Sequence, residues 1–268
     1  MNIKLTENKI RIMTYHHLRN ATAILETSTD FILIDPMLGK IGSIEAFTKS
    51  RFPPQRNPLV KLPKNTDSLL KKVTQVLITH QHADHLDEAG IAFLKENQLE
   101  VTCSVLDAQD LKAKGLNVTQ ELDYNQPQDF LGGSIEGIPA THGYGKVAEL
   151  MGNVMGFYIE LPDEPSIYWA SDTILTDVVA KVLVNKTPDL SVIPCGSAQL
   201  DSYEPILMTE EDILRFVNLN FGITICNHLE ALNHCPTSRK ALKEALQTKK
   251  LNDKVWIPED GQSNQFEI

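Results

Sequence analysis

The sequence predicts an α/β fold: a four-layer αββα sandwich of two mixed sheets packed face to face, with helices outside. Strand-like segments followed by helix-like segments occur twice along the chain, once in each half. No repeat, low-complexity tract or Gly/Ser linker divides the 268 residues. Because this length suits one large α/β unit, we expect residues 1–268 to form a single domain.

In the first half, short apolar segments between polar turns predict an antiparallel meander, and helical spacing follows it. The predicted strands are residues 9–15, 21–26, 31–34, 76–79 and 101–105. The predicted helices are residues 67–72, 88–96 and 106–114, the last of them ended by Gly115.

The second half repeats this order. The predicted strands are residues 134–139, 152–161, 166–170, 190–194, 221–226 and 254–258, with a hairpin turn at 162–165. The predicted helices are residues 174–184, 209–217 and 238–248, the second of which starts at a capping-box pattern. Residues 122–131 are too weakly patterned to assign.

Several features between these elements have two interpretations. His16 and His17 lie between the first two predicted strands, which favours a turn or strand-end role over a pocket role. Asp35 precedes Pro36, so it either forms a turn or orients a metal-bound histidine. Residues 37–64 contain four prolines and no regular pattern. A loop this long predicts a substrate cover, although a subunit contact stays open.

The composition argues against two classes of partner. The net charge is −10 and no long basic run occurs, which disfavours a protein that binds nucleic acid through its phosphates. No apolar run approaches the ~20 residues of a membrane span, and residues 1–7 lack the apolar region of a signal peptide. We therefore expect a cytoplasmic protein that acts on a small molecule, with a homo-oligomer left open.

The four cysteines, Cys103, Cys195, Cys226 and Cys235, show no CxxC spacing. A zinc knuckle or a redox pair is therefore not expected, and buried free thiols are the preferred interpretation. Cys195 and Cys226 end apolar runs near probable site loops, which leaves a functional role open for either.

Directly behind the apolar run 76–79 comes a His-x-His-x-Asp-His motif formed by His80, His82, Asp84 and His85. A histidine-rich loop can be only a solvated turn. A strand end, however, fixes neighbouring side chains around one point, and imidazole with carboxylate suits zinc, manganese or iron. The motif therefore predicts a metal site.

More residues of the same chemical type follow other predicted strands. They are His142, Asp172 and His228. Loops at one edge of a sandwich can meet in a shared cleft, so we expect these side chains to lie near the motif.

This set of residues resembles the signature of the metallo-β-lactamase superfamily, over about residues 10–261. The segments 18–22, 32–36 and 228–234 are similar to its branch of ascorbate-6-phosphate lactonase-like proteins. The resemblance implies the αββα fold and two divalent metal ions, with zinc preferred and manganese or iron open. It implies that His80, His82 and His142 hold the first ion, that Asp84, His85 and His228 hold the second, and that Asp172 bridges them.

The implied function is a metal-dependent hydrolase of a small polar or anionic metabolite, with a lactone or an ester preferred. Two divalent ions lower the pKa of a bridging water to ~7, so that a hydroxide can attack. Asp84 or Asp172 would accept and return a proton. His234 is a candidate proton donor, and a structural role for it is equally compatible with the sequence.

Two alternatives remain at this point. A phosphodiesterase for a small phosphodiester or a phospholipid uses the same fold, which by itself does not specify a substrate. A non-catalytic metal-binding sensor would keep the ligands and turn nothing over.

Overall fold

The computed structural model describes residues 10–268 and contains two seven-stranded sheets. In spatial order, the first sheet consists of β14 (Ser263–Glu267), β1 (Ile12–Arg19), β2 (Thr22–Glu26), β3 (Phe31–Ile34), β4 (Gln75–Ile78), β5 (Glu100–Ser104) and β6 (Asn117–Leu122). The second consists of β13 (Val255–Trp256), β12 (Ile223–Asn227), β11 (Leu190–Pro194), β10 (Ile167–Trp169), β9 (Met155–Glu160), β8 (Gly133–Pro139) and β7 (Pro127–Phe130).

Both sheets are mixed. In the first sheet, β14, β1, β2 and β3 pair antiparallel and β3 to β6 pair parallel. In the second sheet, β7 to β10 pair antiparallel and β10 to β13 pair parallel. Each parallel half needs crossover connections, and helices supply most of them.

Helices accompany both sheets. They are α1 (Thr66–Leu70), α2 (Glu88–Glu96), α3 (Val105–Ala113), α4 (Val147–Leu150), α5 (Asp177–Asn185), α6 (Glu210–Leu219) and α7 (Arg239–Thr248), with a short 3-10 helix at Asn252–Lys254. One apolar cluster packs α1, α2 and α3 on the first sheet, and another packs α5, α6 and α7 on the second.

The central core lies between the sheets. Tyr15 of β1 stacks on Trp169 of β10 with a ring-centroid distance of 5.9 Å, and Leu77 and Phe157 belong to the same buried cluster. Alternate residues of each strand point into this layer because side chains alternate between the faces of a sheet. The arrangement is the predicted αββα sandwich.

Most predicted elements are present. Helix α2 and strands β3 and β11 have the predicted bounds. Strands β6, β7 and β14 and helix α4 were not predicted. The start of the first predicted strand at Lys9 and the stretch 1–7 lie outside the described residues.

The assignment of His16 and His17 to a turn or strand end was wrong. Both lie within β1, because this strand continues to Arg19 and pairs with β2 and β14 on its two sides. The His16 ring bonds Ser263 and Glu26 at 2.7 and 2.6 Å. Two adjacent histidines interrupt the alternation of apolar residues, so the predicted strand ended too early, at Tyr15.

The fold brings several strand ends together. Strands β8, β10, β11 and β12 run in one direction, so the loops that follow them lie at one end of the second sheet. The loop after β4 of the first sheet meets them there, and the Met155 backbone N–H donates to the Thr79 carbonyl oxygen at 3.0 Å.

Candidate metal centre

The motif loop begins where β4 ends. A tight turn follows, in which the backbone N–H groups of His85 and Leu86 both donate to the His82 carbonyl oxygen at 2.9 Å. Asp87 then caps α2 by accepting the Gly90 N–H at 2.7 Å. A strand end, a turn and a helix cap thus hold the motif side chains within a few ångströms of one another.

Three histidines form the first group: His80, His82 and His142. His80 Nε2 lies 3.1 Å from His82 Nδ1. His142 Nδ1 lies 2.8 Å from the Ile206 carbonyl oxygen, which can only accept, so this nitrogen carries the proton. His142 Nε2 is therefore free to bind a cation.

Asp84, His85, Asp172 and His228 form the second group, and all four are buried. Asp172 Oδ2 lies 3.2 Å from His85 Nε2, 3.4 Å from His142 Nε2 and 3.5 Å from His228 Nε2. One carboxylate oxygen thus faces imidazoles of both groups. Asp84 Oδ2 lies 3.2 Å from His228 Nε2.

Asp35 orients His85 from the other side of the ring. Its buried carboxylate accepts from His85 Nδ1 at 2.8 Å, and from the Thr79 N–H and hydroxyl at 2.8 and 2.7 Å. The bond leaves His85 Nε2 buried, without a hydrogen-bond partner and directed at carboxylates. A divalent cation at this point would satisfy the nitrogen lone pair and the carboxylates together, so the residues fit a metal ion.

Burial and the mutual charges of the cluster shift the pKa values of its members in different directions. Burial lowers the pKa of His142 to about 4, so its ring is neutral at pH 7. Burial, followed by the neighbouring His85 and His82, also lowers the pKa of His80. Burial opposes ionisation of Asp84 and Asp172, but His85 and His228 hold the pKa of both carboxyls below the ordinary range. Burial opposes protonation of His85 and His228, but Asp172 and Asp84 outweigh it and raise the pKa of His85 to about 10 and that of His228 above its ordinary value. Without a cation these two rings therefore carry protons, which a bound metal ion would displace, because metals bind neutral imidazoles and ionised carboxylates.

The loop after β12 presents His228 in a left-handed conformation, with φ of 56°. The Asn20 carbonyl oxygen accepts from the His228 N–H at 2.9 Å, and the Asn20 amide donates to the Asp84 carbonyl oxygen at 3.0 Å. Cys235 Sγ lies 3.5 Å from His228 Nδ1. Burial raises the pKa of this thiol, but His234 and His228 outweigh it and lower the pKa to about 7.

A cavity of about 200 Å³ opens beside the cluster. Its lining consists of Phe47, His82, Ala83, Asp84, His142, Met151, Leu200, Ile206 and His234. His234, the candidate proton donor, therefore faces the same space as the motif. Phe47 comes from the long irregular segment 37–64, which does cover one side of the cluster.

The structure brings together all seven predicted ligand-type residues. Cys195 and Cys226 lie instead in the apolar core under the outer helices of the second sheet. The thiol at the cluster is Cys235, which sequence reasoning passed over although it follows His234 directly. The cavity residues Met151, Leu200 and Ile206 were also missed, because no motif or charge singles out an apolar residue in a loop.

Comparison with known proteins decides the family. The model of the β-lactamase superfamily domain matches residues 31–226, most of the chain. The chain belongs to the β-lactamase superfamily. This confirms the resemblance drawn from the motif, and the two-sheet fold agrees with it.

Two relatives are similar to this chain over 64% or more of its length. The UPF0173 protein YddR of Bacillus subtilis is 31% identical over 256 residues, 95% of this chain and 100% of its own length. A UPF0173 metal-dependent hydrolase of Rhizobium etli is 25% identical over 177 residues, 64% of this chain and 68% of its own length.

Two solved structures share both fold and sequence at 30% identity. A possible metal-dependent hydrolase from Veillonella parvula superposes with a TM-score of 0.87 and covers 94% of this chain and 99% of its own. An isothiocyanate hydrolase from Delia radicum gut bacteria superposes with a TM-score of 0.87 and covers 96% and 100%. The chain is a metal-dependent hydrolase. Among residues 10–268, no helix is long and apolar enough to cross a membrane.

Proposed function

We propose that this hydrolase cleaves a small uncharged electrophile that carries an apolar group, with a lactone or an ester as the first candidate. The supporting observation is the cavity beside the cluster: five of its nine lining residues are apolar, and none of the described lining residues is Lys or Arg. An apolar lining with few polar groups suits an apolar ligand. Apart from the metal ions themselves, a phosphate group would find no Lys or Arg partner among these lining residues.

In this proposal His80, His82 and His142 hold one divalent cation, Asp84, His85 and His228 hold a second, and Asp172 contributes to both. The position of Asp172 Oδ2, within 3.5 Å of imidazoles from both groups, supports the shared role. Zinc is the first choice, and manganese or iron suits the same ligands. When bound, the ions supply a hydroxide nucleophile at neutral pH and stabilise negative charge on the substrate.

The remaining steps belong to the protein side chains. The carboxylate of Asp84 or Asp172 accepts a proton from the nucleophile, through an oxygen that does not hold a cation, and returns it as the product forms. His234 lines the same cavity, with its ring centroid 6.3 Å from that of His228, and donates a proton to the leaving group. The apolar wall excludes water from the face of the substrate that does not react.

An isothiocyanate is a second candidate substrate. The 30% identical isothiocyanate hydrolase, which covers 96% of this chain, favours it. An isothiocyanate has an uncharged electrophilic carbon, and its substituent is commonly alkyl or aryl, so the same cavity suits it. Attack of water on this carbon needs the same activated nucleophile.

The test is an activity screen of protein reconstituted separately with zinc and manganese. The substrates are alkyl lactones, aryl esters, alkyl isothiocyanates and bis(4-nitrophenyl) phosphate. We expect turnover of at least one of the first three classes. His82→Ala should lower kcat/KM at least about 100-fold, because metal activation contributes several kcal/mol and about 1.4 kcal/mol is a factor of ten.

His16→Gln is the matched control. Its ring bonds Ser263 and Glu26 rather than the cluster, so turnover should be retained. Cleavage of the phosphodiester alone would support the phosphodiesterase alternative and contradict the proposal. Metal binding without any turnover would support a sensor.

A further inference from the structure

The cavity beside the metal cluster has a defined apolar wall. Phe47, Met151, Leu200 and Ile206 supply it from separate segments of the chain. The cavity volume is about 200 Å³. An apolar cavity of about 150 Å³ holds a benzene molecule, so this one has room for a short alkyl chain or a single aromatic ring.

Phe47 is the aromatic member of this wall. Its ring meets His234 edge-on, with a centroid distance of 4.8 Å and an interplanar angle of 72°. Such edge-to-face contacts are attractive and orient both rings. Phe47 therefore closes the cavity next to the proposed proton donor.

Asn233 ties the backbone of Phe47 to the loop that carries His234. The Asn233 side-chain oxygen accepts from the Phe47 N–H at 3.0 Å and from the Asn57 amide at 3.1 Å. Its side-chain nitrogen donates to the carbonyl oxygens of Thr48 and Pro53 at 2.9 and 3.1 Å. Both acceptor positions and both hydrogens of the amide are used, which fixes its orientation.

Asp201 holds the residues that follow Phe47. Its carboxylate accepts backbone N–H groups of Lys49, Ser50 and Arg51 at 3.0–3.1 Å, and the Thr48 hydroxyl as well. Asp201 directly follows Leu200, which lines the cavity. The segment beside Phe47 is thus attached to two other loops of the site.

From these contacts we propose that Phe47 sets the size of the apolar group that the cavity accepts, and that Asn233 is the positioning residue that holds it there. The inference rests on the proposed function, since it assigns the cavity to the apolar part of the substrate. Phe47 is a fixed wall in this arrangement because its backbone and its ring are both held.

The test uses binding, so that it does not depend on turnover. Metal-loaded protein is titrated calorimetrically with hydroxamic acids of increasing chain length, from acetohydroxamic to decanohydroxamic acid. Hydroxamates chelate divalent metals and would place their alkyl chain in the cavity. For the wild type we expect affinity to rise with length and then to stop rising once the cavity is full.

Phe47→Ala should move this limit to longer chains. Each methylene newly buried should tighten binding about fourfold, the value expected for burial of one CH₂ group. The same variant should prefer longer acyl or alkyl groups in its substrates. Phe221→Ala is the matched control, since this ring is 77% exposed and lies outside the cavity lining, and its length profile should match the wild type.

Asn233→Ala should flatten the length profile, because the wall is no longer held in place, with metal content unchanged. A merely structural role would lower the Tm and leave the profile intact, and that result would overturn the positioning role. An unchanged profile in Phe47→Ala, or no length dependence in the wild type, would overturn the inference about Phe47. A shifted profile without any hydrolysis would instead contradict only the proposed function.

Discussion

At the scale of single residues, the cluster depends on which imidazole nitrogen faces it. His85 uses Nδ1 to bond Asp35, and His142 uses Nδ1 to bond the Ile206 carbonyl oxygen. In both rings this leaves Nε2 directed at Asp172. A partner on the far nitrogen fixes the tautomer and the ring plane, which is the usual way in which proteins hold metal-binding histidines.

Asp35→Asn tests this orientation. Asparagine keeps the shape of Asp35 but removes the negative charge that lies 2.8 Å from His85 Nδ1. Its NH₂ group would also face a group that already donates to Asp35, such as His85 Nδ1–H or the Thr79 N–H. We expect metal affinity to fall about 10–100-fold, the usual effect of losing such a partner. Competition against a chromogenic chelator measures it.

Asp110→Asn, at an exposed position of α3, is the control and should bind metal as the wild type does. Wild-type affinity in Asp35→Asn would show that the ring of His85 is held by other contacts.

At the scale of elements, α2 packs unusually closely on the segment after β3. A side chain at Gly90 would place its Cβ 1.9 Å from the Pro36 carbonyl oxygen. Asp87, the cap of this helix, also accepts the N–H groups of Leu38 and Gly39 at 3.0 and 2.6 Å. The helix that follows the motif thus anchors the start of the irregular segment 37–64.

Gly90→Ala should therefore destabilise the protein, although alanine is the better helix former by about 1 kcal/mol. The backbone oxygen of Pro36 has no room for a methyl group, and overpacking of this kind costs about 1–3 kcal/mol. Because the obstructing atom is a backbone oxygen, we take the upper end of that cost, about 3 kcal/mol, and expect a net loss of about 2 kcal/mol in the free energy of unfolding by urea titration.

Ala92→Gly, at an exposed position of the same helix, is the reverse control and should lose only about 1 kcal/mol, from helix propensity alone. A Gly90→Ala variant more stable than the wild type would mean that α2 can move away from Pro36 at little cost.

At the scale of the whole molecule, a buried polar group joins the two sheets beside the site. Arg239 at the start of α7 bonds Glu230 and Asp260, each at 2.6 Å. Asp260 in turn lies 3.5 Å from Nε2 of His17 on β1. The loop after β12, which carries His228, is thus connected to the first sheet.

His17 makes stability depend on pH. Burial lowers its pKa from the ordinary value near 6.5, although Asp260 partly opposes the shift. The unfolded chain therefore binds the proton more tightly than the folded protein. This contribution to stability is present above about pH 6.5 and is lost as the pH falls from there towards the folded-state pKa.

His17→Gln should accordingly lose less stability than the wild type between pH 7 and pH 5. Urea unfolding at the two pH values measures the difference, with the metal content held equal. Contributions from the metal cluster are common to both proteins and cancel in the comparison. A variant with the full wild-type loss would show that His17 does not contribute.

The layer order of the fold could be predicted from the sequence, because the buried strands and the amphipathic helices have periodic apolar residues. The three strands that were not predicted, β6, β7 and β14, all lie at sheet edges. In β14 only Phe266 is buried, and β6 alternates exposed with half-buried residues before it ends at the buried Leu122. Edge strands are defined by pairing more than by burial, so the local pattern is weak there.

By itself, the sequence determined which residues have metal-binding chemistry, since a His-x-His-x-Asp-His run and the later histidines and aspartate are visible without any contact. The tertiary structure decided which residues position these ligand side chains and which residues form the wall of the cavity beside them. Asp35 reaches His85 across 50 residues, Asn233 reaches Phe47 across 186, and Cys235 stands beside His228 in place of the two cysteines considered first. Such contacts join loops from different strands, and a pattern of near neighbours carries no information about which loops meet.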